Sequence, residues 1–161
     1  MNSGFTIKQA EEKDIPLLIS FIKKIAEYEK LTHEVIATEE ILRESLFGKK
    51  PSAEVVFGYL ESEPAAYAVY FYNFSTFTGK KGLYLEDLFV LPKLRGKGIG
   101  KKMLLHLIQK ASDENCGRME WAVLDWNEPA INFYKSLGAK SLDEWTIFRM
   151  DEKAMKKVLS Y

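Results

Sequence analysis

A chain of 161 residues suits one domain with a single sizeable core, and 47% hydrophobic content is too apolar for a disordered segment. Lys plus Arg equals Asp plus Glu, 23 of each, which removes the basic surplus on which non-specific nucleic-acid binding depends. A lone cysteine, Cys116, excludes an intrachain disulfide.

No stretch reaches the roughly 18 apolar residues of a membrane span, and Met1 to Gln9 lacks the basic start and apolar run of a signal peptide. No repeat, low-complexity tract or Pro/Gly/Ser-rich linker divides the chain, so one domain over 1–161 is expected, and a cytoplasmic one. No His/Cys/Asp/Glu cluster has metal-ligand spacing, and no metal is expected.

In chain order, Phe5 to Ile7 reads as a first strand. From Asp14 to Tyr28, Leu18, Phe21, Ile22 and Ile25 recur at helical spacing. Thr38 is a candidate N-cap for a short helix carrying Ile41, Leu42 and Leu46. Glu54 to Leu60 and Ala65 to Phe74 are β-rich runs around a turn at Glu61 to Pro64, the pattern of a hairpin. Gly82 to Leu91 is apolar on both faces, as a central strand should be.

A glycine-rich turn, Arg95 to Gly100, then opens a helix with Ile99, Met103, Leu104, Leu107, Ile108 and Ala111 on one stripe, and Asn115 and Gly117 are its candidate terminators. Met119 to Leu124 reads as a strand, Asn127 to Leu137 as a short helix closed by Gly138, and Thr146 to Met150 as a last strand before a C-terminal helix. That order is α/β, with helices covering a mixed sheet.

The turn between strand and helix carries the first chemistry. Its glycines let backbone approach a ligand, and the helix start presents unpaired N–H groups with partial positive charge. Arg95, Lys97, Lys101 and Lys102 add four cationic side chains, which suits a pyrophosphate. A P-loop fails, because Arg95 and Lys102 stand where it needs Gly and Ser/Thr, and a dinucleotide fingerprint from Gly96 fails at Lys101. A flexible basic turn that binds nothing remains open on these residues alone.

Arg95-x-x-Gly98-x-Gly100 resembles the acetyl-CoA pyrophosphate signature of the GNAT acetyltransferases, Q/R-x-x-G-x-G/A, and sits after the fourth strand as it does there. The chain further resembles the diamine (spermidine/spermine and thialysine) branch. The matching pieces are Ala26 to Glu29, Leu83 to Asp87, Arg95 to Gly100, and Trp126 to Lys135, in the family's order over most of the chain. The resemblance implies the GNAT fold, a mixed, mostly antiparallel central sheet flanked by helices. It also implies acetyl-CoA as co-substrate, and by analogy a homodimer.

An alkylamine, with a pKa of about 10.4, arrives protonated at neutral pH, so acetyl transfer needs a carboxylate to bind the ammonium and let its proton leave. Glu86, on the central strand before the turn, is the candidate, and the family carries an acidic residue here against the amine. Spacing alone makes Tyr134 a core tyrosine. The resemblance makes it the general acid that protonates the departing thiolate, a step open to a phenol with a pKa of about 10.

By the same resemblance Arg95, Gly96, Lys97, Gly98, Ile99, Gly100, Lys101 and Asn127 bind the cofactor. A bulge in the fourth strand is implied at Leu88, Phe89 and Val90, where freed backbone N–H groups would hold the thioester. Tyr28 and Glu29, at the end of the first helix, would line the amine pocket beside Glu86.

Glu86, Asp87, Asp125 and Glu128 together argue for a cationic small-molecule substrate such as a polyamine, a lysine-like amino acid or an aminated sugar, and the resemblance narrows this to a polyamine, a diamine or a thialysine-like amino acid. Direct attack in a ternary complex is expected. The alternatives are transfer to a protein amine, or a silent acetyl-CoA-binding module.

Overall fold

The β-rich stretch from residue 54 to 90 forms three long strands that pair side by side at the centre of the sheet. The computed structural model describes residues 4–160; the first positions of the Met1–Gln9 stretch and the last of the 1–161 span lie outside the described residues. The described residues fall into two compact units, one ending at Ala122 and the other beginning at Val123.

The first unit holds strands β1 (Phe5–Gln9), β2 (Glu54–Leu60), β3 (Glu63–Ser75), β4 (Lys80–Val90) and β5 (Met119–Trp121), and helices α1 (Ile15–Tyr28), α2 (Glu39–Phe47) and α3 (Ile99–Asp113). The sheet order is β1-β2-β3-β4-β5, with antiparallel neighbours through β4 and a parallel β4–β5 pair reached by the α3 crossover. This is the mixed sheet that the residue pattern implies, and the mostly antiparallel one that the resemblance implies.

One sheet face receives α1. Leu18 and Phe21 pack on Val55, Phe57, Tyr67 and Phe89, with the Phe21 ring 5.2 Å from Tyr67. Burying side chains of this size contributes about 1.5–3 kcal/mol each. The opposite face takes α3. There Gly58 admits Met103 and Phe5, since a Cβ at Gly58 would lie 2.9 Å from the Met103 sulfur and 2.7 Å from the Phe5 ring.

Local signals settle the ends of the elements. Thr38 Oγ1 accepts from the Ile41 N–H at 3.3 Å and caps α2. Glu61 and Ser62, with φ of 51° and 70°, make the two-residue turn whose twist suits a hairpin.

Both long helices end in the same way. Beyond α1, Leu31 N–H reaches Ala26 O at 2.8 Å while Lys30 sits in the left-handed region; beyond α3, Cys116 N–H reaches Ala111 O at 2.9 Å with Asn115 there. Cys116 is half-buried at that helix end.

The second unit holds α4 (Glu128–Ser136) and α5 (Glu152–Leu159). Two strand readings need correction. Met119 to Leu124 pairs only through Trp121, and Thr146 to Met150 is not a strand. Among its described residues the second unit contains no strand, so the β-prone run at 146–150 has no ladder within its own unit, and all five residues are exposed. The α3 stripe is also narrower than its pattern suggests: Ile99, Met103, Leu104, Leu107 and Ala111 are buried, whereas Ile108 is 40% exposed.

No helix among the described residues is long and apolar enough to cross a membrane. Leu107, fully buried, and Ile108, at the rim, provide the test of the α3 interface. Leu107→Ala is predicted to lower unfolding free energy by about 2–5 kcal/mol, and Ile108→Ala by less than about 1 kcal/mol, both read by urea denaturation.

Candidate active site

Strand β4 does not pair evenly with β3. Asp87 faces Val69 and Leu85 faces Tyr70, so Glu86 is one residue too many and forms a β-bulge. The bulge implied at Leu88 to Val90 therefore lies two residues earlier. Leu88, Phe89 and Val90 keep regular partners in Ala68, Tyr67 and Ala66. They also lie beyond Leu85, where the pairing of β4 with β5 stops, so within the described sheet this end of β4 is laddered on the β3 side alone.

The bulge changes what the strand presents. In regular pleating, neighbouring residues face opposite sides of the sheet. Here Tyr84 is paired with Phe71 and Asp87 with Val69, two residues of one β3 face, and the Tyr84 and Phe71 rings stand 5.0 Å apart. The inserted residue thus brings Glu86 and Asp87 to the same side, the side that holds α1.

Glu86 is exposed and Asp87 half-buried. Tyr67, fully buried, donates its hydroxyl to Asp87 Oδ2 at 2.6 Å. Burial holds the Tyr67 phenol far above its ordinary range, reinforced by the charges of Asp87, Glu29 and Glu86. Burial also raises the Asp87 carboxyl, and the Tyr67 hydrogen bond offsets part of that.

Glu29 completes the cluster from α1. It is the C-cap residue of that helix, its N–H bonded to Ile25 O at 2.9 Å. Its carboxyl is raised by burial and by the charge of Asp87. Tyr28, the last helical residue, sits 6.3 Å from the Phe89 ring. Three carboxylates thus gather at the meeting of α1, β3 and β4. The sequence names Glu29 and Glu86 for this place; Asp87 reads there only as a nearby acid and Tyr67 carries no signal, since what joins them is the register between β3 and β4.

The glycine turn follows directly. A short 3-10 turn, Pro92–Leu94, leads into Gly96 and Gly98, whose φ values are +76° and +75°, and Gly98 caps the start of α3. Both glycines are set by backbone conformation, since a Cβ at either would meet nothing within 4 Å. Gly100 differs: a Cβ there would make ordinary contact with Val90 at 3.6 Å. Gly96, Lys97, Gly98 and Lys101 are exposed, and Ile99 is buried as the first core residue of α3. The open helix start and flanking Lys97 and Lys101 suit an anion.

Arg95 does not extend from this turn as a free charge. Its Nε donates to Val90 O at 3.1 Å, and its guanidinium lies 4.3 Å from the Tyr28 ring centre and 5.2 Å from that of Phe89. It ties the turn to the end of α1, and the Lys102 ammonium likewise stands over the Phe5 ring at 5.5 Å.

In the second unit, Asn127 caps α4, its Oδ1 accepting from the Ala130 N–H at 3.4 Å, and Pro129 stands in the first turn. Tyr134 is half-buried on that helix, its ring 5.4 Å from Phe133. His106 lies exposed on α3 with its imidazole pushed down by burial and Lys110, and His33 pairs with Glu34 at 3.3 Å. Among the described residues, no three His, Cys, Asp or Glu side chains are grouped as metal ligands.

Residues 20–139 match the acetyltransferase (GNAT) family. The thialysine N-epsilon-acetyltransferase of Mus musculus is 39% identical over 94% of this chain and 95% of its own length. The spermidine/spermine N(1)-acetyltransferase-like protein 1 of Homo sapiens is 31% identical over 94% of this chain and 23% of its own length. Among solved structures, an integron cassette protein from the mobile metagenome of V. cholerae superposes with a TM-score of 0.82 at 25% identity, covering 98% of this chain and 99% of that one.

The two kinds of glycine in the turn separate by substitution. Gly98→Ala is predicted to cost about 1–2 kcal/mol, because it forces a side chain into the left-handed region. Gly100→Ala is predicted to be neutral or to stabilise by up to about 1 kcal/mol, since its place within α3 favours Ala. Thermal unfolding reads both, and coenzyme A titration is expected to show weakened binding in Gly98→Ala and near-wild-type binding in Gly100→Ala.

Proposed function

We propose, for a chain that belongs to the acetyltransferase (GNAT) family and is an acetyl-CoA-dependent N-acetyltransferase, that the acceptor is a primary amine of a small cationic substrate: a polyamine, a diamine or a thialysine-like amino acid. The observation that carries this reading is the bulge at Glu86. It turns two adjacent carboxylates toward Glu29, on the strand that leads into the glycine turn. An ammonium group is the natural counterion for such a cluster. The relatives support the class, being named for thialysine and for spermidine or spermine.

In this reading Arg95, Gly96, Lys97, Gly98, Ile99, Gly100 and Lys101 seat the pyrophosphate of acetyl-CoA at the start of α3, and Asn127 contributes from α4. The pantetheine arm runs along Leu88, Phe89 and Val90, whose side away from β3 lies beyond the end of β5. Tyr28 and Glu29 line the amine pocket. Glu86, exposed at the bulge, holds the ammonium so that its proton can leave. The freed amine attacks the thioester carbonyl directly. As the carbon–sulfur bond breaks, the Tyr134 phenol protonates the sulfur. One domain over 1–161, working in the cytoplasm as a homodimer, completes the proposal.

Thiol release from acetyl-CoA across spermidine, spermine, putrescine, thialysine, lysine and aminosugars tests the substrate class. Release with the diamines or thialysine, and a loss of about 10²-fold in kcat for Tyr134→Phe, is the expected outcome. Release with aminosugars alone would overturn the substrate class, and an acetylated side chain trapped in a single turnover would overturn direct attack.

A further inference from the structure

Two of the three clustered carboxylates have an evident task in binding a cation. Asp87 is placed differently. It is the second residue of the bulge, half-buried where Glu86 is exposed, and its Oδ2 is held at 2.6 Å by the hydroxyl of a fully buried tyrosine. Among the described residues, the titratable groups linked to it or to its Tyr67 partner are Tyr67 itself from β3, Glu29 from the end of α1 and Glu86 beside it on β4, while the Arg95 guanidinium lies over the Tyr28 and Phe89 rings. Arg95 is committed to those rings and to Val90 O.

A carboxylate fixed in one orientation by a buried donor is suited to receive a proton at a defined atom. A solvent-exposed one, like Glu86, is suited to meeting a cation as it arrives.

We propose that Asp87 is the group that takes the proton from the substrate ammonium, with Tyr67 as its positioning residue. This role deepens, and rests on, the amine-acetyltransferase reading. The nitrogen loses two protons in the reaction. The first passes to the Asp87 carboxylate, leaving a neutral amine whose lone pair forms the carbon–nitrogen bond, and Asp87 then returns that proton to solvent. The second leaves the tetrahedral adduct as the carbon–sulfur bond breaks, and ends on the thiol sulfur. Glu86 holds the ammonium while the first transfer occurs.

The structure explains why the neighbouring acid serves this purpose. Burial disfavours a charged Asp87 and raises its carboxyl, which suits a proton acceptor, while the Tyr67 hydrogen bond at 2.6 Å favours the carboxylate and fixes the accepting atom.

The sign of the Tyr67 effect makes the role testable. Asp87 must be ionised to act, so kcat/KM falls as pH drops through its pKa. Removing the Tyr67 hydroxyl removes the interaction that lowers that pKa. Tyr67→Phe is therefore expected to move the acidic limb of the kcat/KM profile to higher pH. The comparison with wild type uses the same amine, so the substrate's own titration cancels.

Asp87→Asn is expected to lower kcat at least about 10²-fold with the KM for acetyl-CoA unchanged, and Glu86→Gln to act mainly through the KM for the amine. Circular dichroism and coenzyme A calorimetry establish that each variant is folded and competent to bind. An Asp87→Asn enzyme within about threefold of wild-type kcat would overturn the role, as would an unmoved or lowered limb in Tyr67→Phe. If wild type transfers to no amine, the acetyltransferase substrate reading fails, and this role with it; if wild type transfers normally, those variant results count against Asp87 alone.

Discussion

One extra residue in β4 decides which carboxylates stand together in the first unit. Without the bulge, Glu86 and Asp87 would face opposite sides of the sheet, one toward α1 and one toward α3. With it, both stand on the α1 side beside Tyr67 and Glu29. Such a cluster is costly, because burial and mutual repulsion disfavour three negative charges, and that cost is visible in the raised carboxyls of Asp87 and Glu29. The hydrophobic cluster of Leu18, Phe21, Phe57 and Phe89 maintains the arrangement by fixing α1 against β2, β3 and β4.

The carboxylate cluster and the glycine turn of this unit share a single strand. Beyond the carboxylates, β4 runs on to Val90 and the glycine turn, and Arg95 reaches back from that turn to Val90 O and the rings of Tyr28 and Phe89. A guanidinium stacked in this way contributes about 0.5–2 kcal/mol. Its geometric effect is larger: the turn that suits an anion is fastened to the helix end that presents Glu29. Arg95 thus links the regions as well as contributing charge.

Much of this was legible in the residues because the signals were local. Thr38 before an apolar-periodic run, Gly98 ahead of Ile99, and Asn127 three residues before Ala130 each state a helix start by their own chemistry, and the structure has all three. The alternation in Glu54 to Phe74 states a hairpin, although its turn uses Glu61 and Ser62 without a glycine. What stayed hidden depends on partners distant in sequence. The bulge exists only in the register between β3 and β4, so neither Asp87 nor Tyr67 could be assigned from alternation. Thr146 to Met150 has strand propensity but no ladder in its own unit, and propensity without a partner does not make a sheet.

The strand order also bears on how the polypeptide reaches its native state. Neighbours β2, β3 and β4 are also neighbours along the chain, so closing them costs little loop entropy and their contacts can form early. The β4–β5 pair is parallel and must wait for the whole α3 crossover to be laid down. The carboxylate face therefore belongs to the portion of the sheet assembled from short-range contacts. The anion-binding turn matures with the slower, long-range step, and a kinetic intermediate holding the hairpins alone would already contain the bulge.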